Sequence, residues 1–271
     1  MPRSYPLAKP EKNPVEFLRV PVHPVGGAED VHHFIEEVIT GKKKAVIFNL
    51  NIHAMVISFR SRWYRNFIRK AHLIFCDGDG VRWGMRVLGL PPPPKMGTTR
   101  WIWDLAGFCA KKGYRIYFLG GKPGIAAEAA RRLKDRHAKL QVAGVHDGYF
   151  KHWGQENEAV IAEINAARAD VLMVCMGMPL QEKWILKNMR RLDVHILAKG
   201  GAVLDYVTGQ LGQVPEWMLR LNLEWLFRVW EEPRRLFWRY AHDIPTFFYF
   251  VFREKLKRRF TSRRSRKKQS G

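Results

Sequence analysis

The sequence has few cysteines, no clustered metal ligands and no long apolar run. Its cysteines are Cys76, Cys109 and Cys175, an odd number without a Cys-x-x-Cys spacing. Cys76 and Cys175 each end an apolar segment, which suits buried thiols in a reducing compartment. The ten histidines form no cluster with zinc-ligand spacing, so no metal site of that kind is predicted.

The sequence also lacks a segment that could span a membrane. The most apolar cluster, residues 247–252, is far shorter than the roughly 18 residues that a spanning helix needs. Residues 1–24 are rich in proline and lack the apolar core of a signal peptide. We therefore expect a cytoplasmic protein, which can still bind a membrane surface.

Acidic residues are scarce relative to basic ones. The chain has 47 Lys and Arg against 25 Asp and Glu, a formal net charge of +22. Residues 252–271 are especially basic, since they contain ten Lys or Arg and one glutamate. This excess indicates an anionic partner, for which nucleic acid, an anionic membrane surface and phosphorylated substrates are alternatives.

Short apolar runs alternate with segments of helical spacing from residue 28 to residue 212. The predicted strands cover residues 45–48, 73–76, 114–119, 140–145, 170–175 and 195–198. Such alternation predicts an α/β fold, a Rossmann-like parallel sheet with helices on both faces. Residues 1–27 are interpreted as a loose N-terminal extension.

The composition changes after Gly212. Residues 213–260 interleave arginines with aromatic side chains, and this predicts an amphipathic helical appendage with short helices restarting at Pro215, Pro233 and Pro245. Residues 261–271 are expected to form a disordered basic tail. Core packing, base stacking and membrane contact are alternative uses of the aromatics, and their arrangement favours the membrane.

Two acids stand where the second strand of this domain ends, at Asp77-Gly78-Asp79. Ligands of open α/β sheets bind at this edge, and an Asp there can act as a general base. The pair also resembles acids that hold a divalent metal against a nucleotide-sugar diphosphate. We favour the metal-free alternative, with Asp79 in a capping role.

Further loops are predicted to reach the same edge. The turn at residues 120–124 opens a helix and can cradle a phosphate, although with Asp147 it leaves a nicotinamide-dependent oxidoreductase open as an alternative. Gln181 and Glu182 follow another strand and can reach a sugar or a base. Gly200, Gly201 and Asp205 form a third loop of this kind.

Taken in order, these motifs resemble the WecG/TagA/CpsF family of bacterial glycosyltransferases, of the exopolysaccharide or teichoic-acid type. The resemblance covers about residues 45–240. It rests on Asn51, Asp77-Gly78-x-Gly80-Val81, Gly120-Gly121-x-Pro123-Gly124, Gly148-Tyr149-Phe150, Gly177-x-Pro179-x-Gln181-Glu182, Gly200-Gly201 with Asp205, and Glu224-Trp225 with Arg228, Glu232-Pro233 and Arg235.

The resemblance implies an inverting enzyme without a metal or other cofactor. It would move a sugar from a UDP-sugar to a polyprenyl-diphosphate-linked saccharide, as a peripheral protein on the cytoplasmic face of the plasma membrane. It makes Asp77 the general base, with Asn51 and Gln181 in the pocket. Arg228, Arg235 and Arg239 would belong to the appendage, contacting diphosphate and an anionic membrane.

Three departures from the family pattern leave the donor sugar open between ManNAc and glucose. Asn49 occupies the position where the family often has Thr, and Lys95 occupies the position of an arginine that the family pattern places in the pocket. Gln213-Val214-Pro215 replaces Arg-Ala-Pro. We place Asn49 and Lys95 among the substrate-binding candidates, together with Gly120, Gly121 and Glu182. A non-catalytic nucleic-acid binder is a further alternative, which we do not favour, and whether subunits pair stays open.

Overall fold

A computed structural model describes residues 5–6, 8, 13–212, 215, 217–218 and 224–269, without the side chains of residues 224–225, 228, 235 and 261–269. The strands are β1 (Val15–Phe17), β2 (Val20–Val22), β3 (Ala45–Leu50), β4 (Leu73–Cys76), β5 (Arg115–Gly120), β6 (Gln141–His146), β7 (Val171–Cys175) and β8 (Ile196–Lys199). The helices are α1 (Ala28–Thr40), α2 (Ile52–Arg60), α3 (Arg62–Arg69), α4 (Asp79–Val87), α5 (Thr98–Lys112), α6 (Ile125–Arg136), α7 (Gly154–Ala167), α8 (Leu180–Asn188), α9 (Val203–Val207), α10 (Glu224–Glu231) and α11 (Pro233–Gln269).

Six of the described strands form one parallel sheet in the order β4-β3-β8-β7-β5-β6. Their residues alternate between two hydrophobic cores, one on each face. On β3, for example, Ile47 faces a core with α1, α5, α6 and α9, whereas Phe48 faces α2, α3, α7 and α8. The predicted α/β class, with helices on both faces of a parallel sheet, is confirmed.

The order of the strands fixes where a ligand can enter. β5 and β7 are neighbours, but the chain leaves β5 for the outer strand β6 and leaves β7 for β8 on the other side. Connections that part in this way open a crevice beyond the carboxyl ends of the strands. The predicted functional loops all lie at this end.

The N-terminal segment differs from the loose extension that the sequence predicts. β1 and β2 pair as an antiparallel hairpin, and Phe17, Val20 and Val22 are buried in the core that contains Phe48. Leu18 and Arg19 form the turn with φ of 49° and 67°. Neither residue favours this left-handed conformation, so packing of the strands rather than turn preference holds the hairpin.

His23 attaches this hairpin to the edge of the sheet. Its backbone N–H donates to the Ile74 carbonyl, and its Nδ1 accepts from the Ile74 N–H, each at 2.9 Å. His72 does the same for Val46, whose N–H donates to Nδ1 at 3.0 Å. Nδ1 of each ring must be unprotonated to accept these hydrogen bonds. Burial accordingly lowers the pKa of His23 to about 4, and it also lowers the pKa of His72.

We expect the free energy of unfolding to fall as the pH is lowered from about 6.5 to about 4. In that range the unfolded chain protonates His23 and the folded chain does not, so acid favours unfolding, by roughly 3 kcal/mol at most for this group. In His23→Asn, Oδ1 can accept the same bond without titrating. Denaturant titrations across this range should show a shallower decline for the variant, and equal slopes would contradict the assignment.

The C-terminal segment packs on the sheet domain. Phe247 and Val251 of α11 are fully buried, and the Phe247 ring lies 6.1 Å from that of Phe17. The prediction that Pro233 begins a helix is confirmed, but the prediction of a restart at Pro245 is wrong, because α11 runs through it. The buried contacts of Phe247 and Val251 offset the backbone bond that proline removes.

The described backbone continues as helix to Gln269, whereas the sequence predicts disorder from residue 261. The helix expected from Pro215 falls mostly on residues outside the described part. Of the described helices, none is both long and apolar enough to cross a bilayer.

Candidate active site

A cavity of about 1070 Å³ opens at the carboxyl end of the parallel sheet. Strand ends supply its floor: Asn49 from β3, Asp77 after β4, Gly121 after β5, Cys175 from β7 and Lys199 from β8. Gln181, Gly200, Gly201 and Asp205 line it as well. The structure thus brings Asp77 together with the three predicted loops in one polar pocket.

The Asp77 carboxylate is held by a set of donors. The Asn49 Nδ2 donates to Oδ2 at 3.1 Å, and the Thr98 hydroxyl donates to the same oxygen at 3.0 Å. The Thr98 backbone N–H donates to Oδ1 at 3.3 Å. Because a fixed carboxylate at a cavity floor can take a proton from a bound hydroxyl, this geometry suits a general base.

The two asparagines at the end of β3 differ in what they do. Asn49 is buried beside Asp77, and its Oδ1 has no hydrogen-bond partner among the described residues. Asn51 caps α2, since its Oδ1 accepts from the Ala54 N–H at 3.0 Å. Both line the cavity. The amide of Asn49 therefore serves mainly to hold Asp77, whereas Asn51 begins the next helix.

Asp79 and Lys95 pair with each other rather than entering the cavity. The Lys95 Nζ lies 2.9 Å from one oxygen of Asp79, and Arg82 lies 2.7 Å from the other. Neither Asp79 nor Lys95 is among the described residues that line the pocket. In this arrangement the second acid of the Asp-Gly-Asp turn is neutralised by two cations, and no three metal-ligating side chains converge within the described ranges.

Glu182 lies beneath the cavity and holds the predicted pocket residue Gln181. Its Oε1 accepts from Gln181 at 3.2 Å and from the Tyr64 hydroxyl at 3.2 Å, and it lies 3.3 Å from the Lys199 Nζ. The Gly201 N–H donates to the Gln181 Oε1 at 3.0 Å. Gln181 is therefore fixed at both ends of its amide, and Glu182 acts behind it.

Lys199 is a fully buried cation at the end of β8. Its Nζ lies 3.9 Å from the centre of the Phe48 ring. Burial lowers the pKa of Lys199, while Glu182 and Asp77 act in the opposite direction. Lys199 thus lies at the floor of the cavity, with its Nζ beside Glu182.

The glycine-rich turn is shaped by a close approach of strands. Gly120 has φ of 136°, and a Cβ there would lie 2.1 Å from the Cys175 carbonyl oxygen, so this position requires glycine. Gly120 itself supports the floor, whereas Gly121 and Lys122 line the cavity. The Gly148 N–H donates to the Gly121 carbonyl at 2.9 Å and ties in the neighbouring loop.

One wall of the cavity comes from the C-terminal segment. Glu232, Leu236 and Arg239 line it at helical spacing. The Arg239 Nε is buried without a hydrogen-bond partner in the described part of the chain. Arg228 and Arg235 lie on α10 and α11, but their side chains are outside the described residues.

Sequence reasoning missed three side chains of the site: Thr98, Lys199 and His53. Each left a local signal. Thr98 begins a helix just after a four-proline loop, Lys199 is a charge closing an apolar strand before Gly-Gly, and His53 stands two residues after Asn51. Their contacts with Asp77, Glu182 and α11 depend on the tertiary fold and could not be deduced from those signals.

A Rossmann-like sheet with a fixed carboxylate and convergent polar loops at its carboxyl edge defines an α/β enzyme with an open ligand cavity. The chain belongs to the Glycosyl transferase WecG/TagA/CpsF family, whose model matches residues 15–261. It is therefore a glycosyltransferase, as the sequence motifs predict.

Two relatives are similar over most of their length. The chain is 29% identical over 223 residues, 82% of this chain and 83% of the relative, to an N-acetylglucosaminyldiphosphoundecaprenol N-acetyl-beta-D-mannosaminyltransferase of Bacillus subtilis (strain 168). It is 28% identical over 218 residues, 80% and 82% of the two chains, to a protein of the same description from Bacillus spizizenii (strain ATCC 23059 / NRRL B-14472 / W23).

Proposed function

We propose that the protein transfers N-acetylmannosamine from a UDP-sugar to an N-acetylglucosaminyl diphospho-polyprenol, with inversion at the anomeric carbon. The observation that carries the proposal is the Asp77 carboxylate at the cavity floor, held by Asn49 and Thr98. The names of the two relatives favour ManNAc over glucose as the transferred sugar and GlcNAc as the acceptor sugar.

The proposed reaction is a single displacement. Asp77 takes the proton from an acceptor hydroxyl while that oxygen forms a bond to C1 of the donor sugar. The bond from C1 to the diphosphate oxygen breaks, and its electron pair leaves with UDP. Attack on the face opposite to the leaving group gives the inverted product.

The departing diphosphate requires positive charge at the other side of the sugar. Arg239 and Lys122 both line the cavity. A guanidinium such as that of Arg239 suits a bidentate contact with phosphate. The N-terminus of α6, just after Lys122, adds backbone N–H groups of the kind that bind anions.

A screen of UDP-sugars tests this function. UDP-ManNAc, UDP-glucose and UDP-GlcNAc are each supplied with a short-chain polyprenyl-diphosphate GlcNAc, and product is followed by mass spectrometry. We expect a disaccharide product from UDP-ManNAc. Transfer of glucose alone would make UDP-glucose the donor in place of UDP-ManNAc. If none of the three sugars is transferred and the protein does not bind UDP, the proposal is overturned.

We further propose that α11 rests on the cytoplasmic face of the membrane. Five of its exposed apolar side chains, with exposures of 52% to 73%, are Trp238, Tyr249, Phe252, Leu256 and Phe260. At 3.6 residues per turn they fall on the side opposite to the buried Leu236, Phe247 and Val251. Exposed Arg253 and Arg259 flank them. Aromatic rings beside basic residues suit an anionic lipid interface.

Replacing two residues of this exposed stripe should weaken membrane binding. We expect Trp238→Ser with Phe252→Ser to lower the partition onto anionic vesicles at least tenfold, because each ring loses roughly 1.5–3 kcal/mol of apolar burial. Vesicle sedimentation measures the partition. Leu186→Ser, at an exposed leucine of α8, serves as the control. If Leu186→Ser loses as much vesicle binding as the double variant, or if the double variant loses none, the exposed side of α11 does not bind the membrane.

A further inference from the structure

A histidine–aspartate pair joins the C-terminal helix to the cavity. His53, in the first turn of α2, lines the cavity next to Asn51. Its Nδ1 lies 2.6 Å from Oδ2 of Asp243 on α11. The Asp243 side chain is 4% exposed and that of His53 is 25% exposed. The carboxylate is therefore enclosed between the two helices, and the imidazole reaches the open space.

Asp243 is engaged through both of its oxygens. The His242 Nδ1 lies 2.9 Å from Oδ1, and the Arg60 guanidinium lies 2.5 Å from the His242 Nε2. Although burial raises the pKa of Asp243, the hydrogen bonds from His53 and His242 outweigh it and hold that pKa below its usual value. The carboxylate is thus ionised at neutral pH.

The Asp243 carboxylate at Nδ1 fixes the orientation of the His53 ring. It also leaves Nε2 of His53 as the nitrogen that a ligand in the cavity can reach. Asp243 is contacted in addition by His242 on α11, which Arg60 of α2 contacts in turn. Arg239 lies one turn before Asp243 on α11 and lines the same cavity as His53.

We propose that His53 binds a substrate diphosphate through Nε2–H, and that Asp243 is its positioning residue. This inference rests on the proposed function and deepens it. The role of general base belongs to Asp77 in the proposed reaction, because its carboxylate is already placed at the cavity floor for that step. The phosphate oxygens belong either to the UDP of the donor or to the lipid-linked acceptor.

Three full-length variants test the inference. His53→Gln removes the imidazole, His53→Lys supplies a permanent cation at the same position, and Asp243→Asn keeps the shape of the partner without its charge. His33→Gln is the matched control, since His33 is exposed on α1, which does not line the cavity. Affinities for UDP and inorganic pyrophosphate are measured by calorimetry from pH 6 to pH 9, and the acceptor KM by turnover.

We expect His53→Gln to bind pyrophosphate about tenfold more weakly than the wild type at pH 6.5. His53→Lys should keep most of the affinity. Asp243→Asn should weaken pyrophosphate binding while it melts like His33→Gln, which a purely structural role for Asp243 would not do. Loss of UDP affinity assigns the contact to the donor, and a raised acceptor KM assigns it to the lipid diphosphate.

The inference is overturned if His53→Gln binds UDP and pyrophosphate as the wild type does across this pH range and has an unchanged acceptor KM. It is overturned as well if His53→Lys loses as much affinity as His53→Gln while both melt like His33→Gln. The proposed function fails separately: a wild type that binds pyrophosphate through His53 but transfers no sugar would leave this site standing and remove the transferase assignment.

Discussion

Asp77→Asn should reduce sugar transfer by about a hundredfold to ten-thousandfold while UDP binding stays within about threefold of the wild type. The amide has the same shape but cannot take the proton of the acceptor hydroxyl, and a general base contributes about 10²–10⁴ in rate. Thr98 can still donate to the remaining oxygen, so the fold should persist. Single-turnover transfer and UDP calorimetry on the same preparation measure the two quantities.

Asp79→Asn provides the matched control for this experiment. Asp79 is the neighbouring acid of the same turn, but it pairs with Arg82 and Lys95 and does not line the cavity. We expect its transfer rate to stay within tenfold of the wild type. An Asp77→Asn enzyme with full activity, or an Asp79→Asn enzyme that is the more impaired of the two, would remove Asp77 from the proposed mechanism.

Arg239→Ala is expected to lower turnover about a hundredfold. The Arg239 side chain lines the cavity from α11, and its loss leaves the departing diphosphate without that charge. Arg239→Lys should recover only part of the rate, because lysine cannot make the bidentate contact.

The exposed Arg253, on the same helix, provides the comparison for Arg239. Arg253→Ala should keep its turnover with a soluble acceptor. Steady-state kinetics on the three variants, with UDP affinity measured in parallel, separates a defect in donor binding from one in chemistry. If Arg239→Ala matches Arg253→Ala, the wall formed by α11 has no part in leaving-group stabilisation.

Much of this architecture could be predicted from the sequence because buried parallel strands are short continuous apolar runs. The run at residues 170–175 corresponds to β7 (Val171–Cys175), for example, and the run at 195–198 to β8 (Ile196–Lys199). Glycines and acids after such runs mark the carboxyl edge, so Asp77, Gln181 and Gly200 could be assigned to one rim before their distances were known.

The rest depends on contacts between distant parts of the chain. The hairpin turn at Leu18 and Arg19 lacks the Gly or Asn that signals a left-handed turn, and tertiary packing overrides the local preference. Pro245 by itself predicts the start of a helix. The helix instead continues through Pro245, because the burial of Phe247 and Val251 stabilises it. The contact of His53 with Asp243 spans 190 residues, so the place of His53 just after Asn51 could not predict it.

The contact between Phe17 and Phe247 has a consequence for biosynthesis. It joins the β1–β2 hairpin to α11, so one hydrophobic face of the sheet is finished only after residues up to Phe247 have left the ribosome. Until then the nascent chain exposes Phe17 and the groove beside Gly84, against which Phe247 packs. Closure of this face is therefore a step of high contact order, and such steps are slow.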